Sequence, residues 1–362
     1  SAFVTHQYSR PQIISEHGYP YPQKKRHDQA FVDGAYAAFN DFGGLVAFRS
    51  PLGIPVEQGA TAFMMCNDPV LRSSEYLTAL MFLRGDVKES PCTLRFTANA
   101  DDDLKQDFGT TPSIVPYYLG FVCKTMTDYS QVTKKKNEVL VPRSGTAKAA
   151  MNIGATNVSG GGGEDALAEA FNALKSAKFV PEGNRTDVKN GVWESVTGEL
   201  CMNQPLRRLT VDTPRLQGLS AIKGDSYRFK DVAVRNLDVD ASLALASIDG
   251  EKPLKEAKRI LMVFATDAVN SEAIYMNRFR EDIKPKMGWP KQLGHAPILI
   301  ETGSVEIGLR NANAKKLKLW SLNVDGTRAE EIPVTATANA LRFKLDTAKL
   351  KAPSVYFELA EK

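Results

Sequence analysis

The residues best placed to do chemistry lie in the stretch from Pro11 to Pro22, which reads Pro-Gln-Ile-Ile-Ser-Glu-His-Gly-Tyr-Pro-Tyr-Pro. Its apolar pair, Ile13 and Ile14, suits a short buried parallel strand that stops at Ser15 and Glu16. The glycine and the Tyr–Pro alternation that follow can neither extend a strand nor start a helix. A carboxylate that closes a buried strand and precedes a stiff aromatic loop is how a barrel of parallel strands presents a catalytic acid at its C-terminal face. Glu16 is therefore the candidate catalytic residue.

Elements that would position Glu16 follow directly. Between Gln29 and Asn40 the apolar residues Phe31, Val32, Ala35 and Phe39 fall at helical spacing. Asp41-Phe-Gly-Gly44 then turns the chain into a second short apolar strand, Leu45 to Phe48. Strand, carboxylate, loop, helix, glycine turn and strand make one βαβ unit of about minimal length. A further helix is expected where Asn67 or Asp68 can cap, Pro69 suits the first turn, and Val70, Leu77, Leu80 and Leu83 line one face before Gly85.

In this order the motifs resemble the last two strands of the (β/α)8 barrel of clan A retaining glycoside hydrolases. The resemblance covers about the first 50 residues. It implies that Glu16 is the nucleophile that closes the seventh strand, and that Phe48, at the end of the eighth, floors a sugar subsite. Tyr19 and Tyr21 are then candidates to donate hydrogen bonds that keep the nucleophile ionised and oriented. His17, next to Glu16, is expected to bond a sugar hydroxyl. Arg49, just past the second strand, would do the same or neutralise Glu16. Retaining hydrolysis needs a second carboxyl about 5–5.5 Å away as acid/base. In the resembled clan it is a Glu after an Asn on the fourth strand, upstream of the nucleophile. None of the 15 residues before Glu16 is acidic. The one Asn-Glu pair, Asn137-Glu138, comes too late and reads as an exposed turn. The expectation is that an N-terminal portion of the same enzyme, on one precursor or a separate chain, supplies the acid/base, and that this chain alone is inactive.

Length and composition narrow the alternatives. The chain has 362 residues, 43% hydrophobic and 24% charged, as in an ordinary globular protein of two or three domains. A net charge of +4, with basic runs no denser than Lys134-Lys-Lys136 or Lys24-Lys-Arg26, gives no nucleic-acid signature; both runs read as solvated loops. No apolar run approaches a membrane span. Four histidines without paired spacing suggest no metal site, and nothing points to a cofactor. Cys66, Cys92, Cys123 and Cys201 lie in or beside apolar stretches without C-x-x-C spacing. They read as buried thiols, with one disulfide open to an exported protein.

After Pro91 the pattern becomes many short alternating strands separated by Asn, Asp and Gly turns, the mark of antiparallel sandwiches. Asp249-Gly250 and Asp325-Gly326 are hairpin signals. Ser159-Gly-Gly-Gly-Gly leads into an amphipathic helix with Leu167, Phe171 and Leu174; with no Gly-Lys-Ser/Thr it is a connector and not a phosphate loop. Phrases such as Leu209 to Gly218 and Leu245 to Leu254 resemble the β-rich C-terminal regions of large bacterial glycosidases. The expected fold is a C-terminal remnant of a (β/α)8 TIM barrel, residues 1–90, followed by antiparallel β-sandwich domains. These are residues 91–290, with a helical insertion near 164–178, and residues 291–362. A polysaccharide or oligosaccharide substrate implies a secreted, periplasmic or cell-surface setting. The rival reading is a non-catalytic β-sandwich module that binds carbohydrate or has a structural role, with Glu16 a relic.

Overall fold

The computed structural model describes residues 6–48, 59–62, 65–97, 118–130, 133, 135–142, 163–277 and 288–361. Arg49 and the Ser159–Gly162 loop lie outside them. The chain divides into two compact units, each assembled from separate segments: residues 1–17, 31–46 and 81–213 form unit 1, and residues 18–30, 47–80 and 214–362 form unit 2. Residues 1–90, expected as one barrel piece, are thus shared between the two. Most of the described sheet is antiparallel and the helices are few: α1 (Ala35–Phe39), α2 (Pro69–Thr78) and α3 (Gly163–Ser176).

In unit 1, β1 (Ile13–His17) and β2 (Gly44–Ala47) form a two-stranded sheet. A turn of π-helix, Ala30–Gly34, leads into α1 between them, which buries Ala35, Tyr36, Ala37 and Phe39. A second sheet departs from the antiparallel expectation. Strands β3 (Thr93–Thr97), β4 (Lys124–Asp128) and β5 (Glu138–Pro142) are parallel, with β3 in the centre. β3 is buried at four consecutive residues, so it lacks the exposed face that an alternating pattern announces. Tyr118 to Val122, expected as a strand, instead forms a helical turn closed by Phe121 and Val122 N–H bonds to the Tyr118 and Leu119 carbonyls. α3 buries Leu167, Phe171 and Leu174 as its spacing predicts. Strands β6 (Val192–Glu194), β7 (Leu200–Asn203) and β8 (Arg208–Asp212) follow as an antiparallel meander.

Charge is buried inside the parallel sheet. Arg95, at the middle of β3, pairs with Asp128 at 2.7 Å and Glu138 at 2.7 Å, and all three are almost fully buried. Tyr8 donates its hydroxyl to Glu138 at 2.7 Å and lays its ring under the Arg95 guanidinium. Of the Asn137-Glu138 pair, expected as an exposed turn, Asn137 is an exposed turn residue, whereas Glu138 opens a strand and neutralises a buried cation.

Unit 2 is a β-sandwich. One sheet has the order β10-β11-β18-β22-β21, made of β10 (Tyr227–Arg228), β11 (Val232–Arg235), β18 (Ser304–Arg310), β21 (Thr335–Ala336) and β22 (Ala340–Asp346). The facing strands run β20-β19-β23-β13-β12-β9, made of β9 (Leu216–Ala221), β12 (Ala241–Ser247), β13 (Arg259–Ala265), β19 (Leu317–Leu322), β20 (Arg328–Ile332) and β23 (Tyr356–Glu361). Between them lies one core that includes Leu243, Phe264, Ile307, Leu319, Phe343 and Phe357. Strands from both sides of the boundary expected near residue 290 share this core. The expected hairpins form: Gly250 and Gly326 take positive φ, and Asp325 accepts from Thr327 N–H.

β12 is buried at every residue, which a two-layer sandwich does not predict. Leu243 and Leu245 enter the core, while the small Ser242, Ala244 and Ala246 face the other way, beneath the 24–28 turn, and α2 lies against β13. A side chain at Gly218 on β9 would stand 2.5 Å from the Leu243 carbonyl oxygen, so close strand approach requires glycine there. The four cysteines are free and buried.

The Arg95 cluster predicts an acid response. Burial would raise the carboxyl pKa values of Asp128 and Glu138. Against it, hydrogen bonds from Ser130 and Arg95 hold Asp128 below the ordinary carboxylate range, and those from Lys135 N–H, Tyr8 and Arg95 do so for Glu138. The folded state binds these protons less readily than the unfolded chain. The stabilisation is thus complete above about pH 4–5 and is lost as pH falls through the depressed values. Urea titrations followed by circular dichroism should show stability falling below about pH 4. Arg95→Met should cost about 3–5 kcal/mol at pH 7 and reverse the slope, since unpaired buried carboxyls prefer to be protonated. An unchanged acid slope in the variant would contradict this account.

Candidate active site around Glu16

Glu16 sits one residue from the end of β1, where its side chain is exposed. It makes no hydrogen bond or ion pair to any described residue. β1 was expected to be a buried strand. Instead Ile13 is 58% exposed, and on β2 Val46 is 51% exposed. Gly43 and Gly44 pass Ile13 closely, and Gly43 N–H donates to the Gln12 carbonyl at 2.7 Å, so the glycine turn holds the two strands together.

His17 is not at an open mouth. Its side chain is 7% exposed, and Nδ1 lies 3.2 Å from Asp33 Oδ2, which fastens the strand end to the helical segment after it. A sugar-hydroxyl role for His17 is therefore corrected to an anchoring one.

The aromatic loop belongs to unit 2. Tyr19 is half-buried, with its backbone N–H donating to Gln29 Oε1 at 3.1 Å. Tyr21 is 3% exposed. Its hydroxyl accepts from Asn270 N–H at 3.0 Å, and its ring lies beneath the Arg26 guanidinium. A substrate-contact role for Tyr21 does not fit this packing, because both its ring and its hydroxyl are engaged inside the unit. Phe48, just past β2, is 55% exposed.

Sequence reading missed the group that organises this loop. Lys24-Lys-Arg26 reads as a solvated run, and Lys24 is exposed, yet Arg26 is wholly buried. Its guanidinium donates to Asp68 at 2.7 Å, Asp267 at 2.6 Å, the Ala268 carbonyl at 2.6 Å and the Gln23 carbonyl at 3.1 Å. Burial works against the charged form, but Asp68 and Asp267 outweigh it and raise the Arg26 pKa. Asp68 is also the N-cap of α2, accepting from Val70 and Leu71 N–H. Only the spacing of Asp68 before Pro69 hinted at any part of this.

Among the described residues no group of three or more His, Cys, Asp and Glu is gathered to hold a metal, and no helix is long and apolar enough to cross a membrane. No family model matches the chain, and no curated protein or solved structure matches it. The likeness to clan A hydrolases accordingly rests on motif order alone.

Arg26→Met should destabilise unit 2 by about 3–5 kcal/mol, because it strands two carboxylates. Tyr21→Phe should cost about 1–3 kcal/mol by leaving a buried N–H unpaired. Urea midpoints read both, and values near zero for both would show that the network carries no stability.

Proposed function

We propose that this chain is the nucleophile-bearing C-terminal part of a retaining glycoside hydrolase acting on a polysaccharide or oligosaccharide. On this reading β1 and β2 are the last two strands of a (β/α)8 barrel. An N-terminal portion, on the same precursor or a separate chain, completes the barrel and brings the acid/base. The Glu16 carboxylate attacks the anomeric carbon and forms a C–O bond as the glycosidic oxygen departs with a proton from the acid/base. Water, deprotonated by that same group, then displaces Glu16 with net retention. Phe48 offers an apolar ring to a sugar face, and the sandwich braces the barrel. A polysaccharide substrate suits a secreted, periplasmic or cell-surface location.

The observation that carries this reading is an exposed carboxylate without a partner among the described residues, on a two-stranded sheet whose Ile13 and Val46 side chains are also exposed. Strands of a parallel barrel are normally covered on both faces, and apolar sheet surface left open marks a place for more protein. The one other candidate from the Asn-Glu motif, Glu138, is occupied by Arg95.

Glu16→Gln, made in the enzyme assembled with its N-terminal portion, should lower kcat on the order of 10³-fold or more while the fold is retained. Release of reducing ends from a panel of polysaccharides measures it. Turnover equal to the parent's would refute the assignment.

A further inference from the structure

The outer face of the β10-β11-β18-β22-β21 sheet holds a feature that the hydrolase reading does not use. Val232, Val234, Ile307, Leu309, Leu341 and Phe343 enter the core, so the residues between them point outward. Strand register lines up one outward row across all five strands: Arg228, Ala233, Gly308, Arg342 and Thr335. The next row sets Arg235, Glu306 and Lys344 side by side. Together they form a groove of about 440 Å³ with a floor of Ala233 and Gly308 between two guanidinium walls.

Six basic side chains line this groove against two carboxylates, an excess as large as the net +4 of the entire chain. One of those carboxylates, Asp231, is already paired with Arg310 at 2.7 Å. Arg228, Lys230, Arg235, Arg342 and Lys344 form no ion pair with any described residue, and Glu306, between Arg235 and Lys344, offsets only part of their mutual repulsion. Gly308 adds a second observation. Its φ is not positive, and a Cβ there would meet Ala233 Cβ at 3.7 Å and Arg342 Cγ at 4.0 Å, ordinary contacts. Glycine weakens a strand interior, and here neither backbone conformation nor crowding demands it. What it provides is an open floor.

We propose that this groove binds an anionic polysaccharide bearing one carboxylate per sugar. Guanidinium forks match carboxylates bidentately. Arg342 and Lys344, outward on β22, stand about 7 Å apart along the strand, so a linear polyanion laid across the face meets several cations in succession. The face offers no aromatic platform, because Phe229 and Phe343 are buried, and base stacking on single-stranded nucleic acid has nothing to use. Choosing a glycan over another polyanion leans on the carbohydrate reading above; the groove itself does not depend on Glu16.

Affinity electrophoresis of the full chain through gels containing polygalacturonate tests this. The parent should be retarded, and less so as salt rises. Arg342→Gln and Gly308→Thr should each weaken binding about tenfold or more. Gly308→Thr should do so with a thermal midpoint equal to the parent's or higher, which separates a filled floor from a damaged fold. Glu16→Gln should bind as the parent does, so a failed groove and a failed nucleophile give different results. No retardation by polygalacturonate, equal retardation by neutral dextran, tighter binding to duplex DNA, or parent-like affinity in both groove variants would overturn the proposal.

Discussion

A single buried cation holds unit 2 together at the point where its chain segments meet. Arg26 reaches Asp68 at the start of α2, Asp267 just past β13, and the Ala268 carbonyl beyond it. Taking a guanidinium out of water is costly, and the cost is met only because two carboxylates and two carbonyls surround it. With Arg26 fixed, Tyr21 can lie beneath it and accept from Asn270 N–H, while Asn270 bonds the Ala60 backbone through its side chain. Ser242 Oγ donates to the His27 carbonyl, so the same turn also seals the small-residue face of β12. Residues 18–30 thus act as a clasp over the sandwich, and the rigid Tyr-Pro-Tyr-Pro loop is part of it.

The chain seen this way has two kinds of surface. The sandwich of unit 2 closes a core of its own, and its exposed sheet face is polar and basic. The β1–β2 pair of unit 1 is the opposite: its Ile13 and Val46 side chains are exposed, and Glu16 beside them has no partner among the described residues. Unit 1 therefore has the character of a part, and unit 2 that of a whole. The glycoside hydrolase proposed above, with its barrel completed by further protein, would account for both.

Alternation made the sandwich strands legible. Val305, Ile307 and Leu309, or Leu341, Phe343 and Leu345, announce one buried face, and Asp325-Gly326 announces its turn. The start of α2 was readable because Asn67 and Asp68 are both capping residues and Pro69 suits a first turn; that Asp68 is the cap emerges from the structure. Parallel pairing of β3 was hidden because its alternation, Leu94 and Phe96 about Arg95, announces one solvent face, whereas Arg95 is buried against carboxylates from β4 and β5. Arg95 and Arg26 were hidden for another reason: local sequence cannot tell an arginine that meets carboxylates 33 to 241 residues away from one that meets water. Glu16 stood out by its position at a strand end, whereas the burial of Tyr21 depended on Asn270, far along the chain. The basic groove escaped notice because its charges are spread singly over several strands, and only register brings them into rows.

The most direct measurement is the mass of the peptide containing Glu16 after the assembled enzyme reacts with an activated 2-deoxy-2-fluoro glycoside, which slows hydrolysis of a glycosyl-enzyme ester. The account predicts one added fluoroglycosyl group, located on Glu16. A label on a different carboxylate, or continued turnover with no label on this peptide, would contradict it.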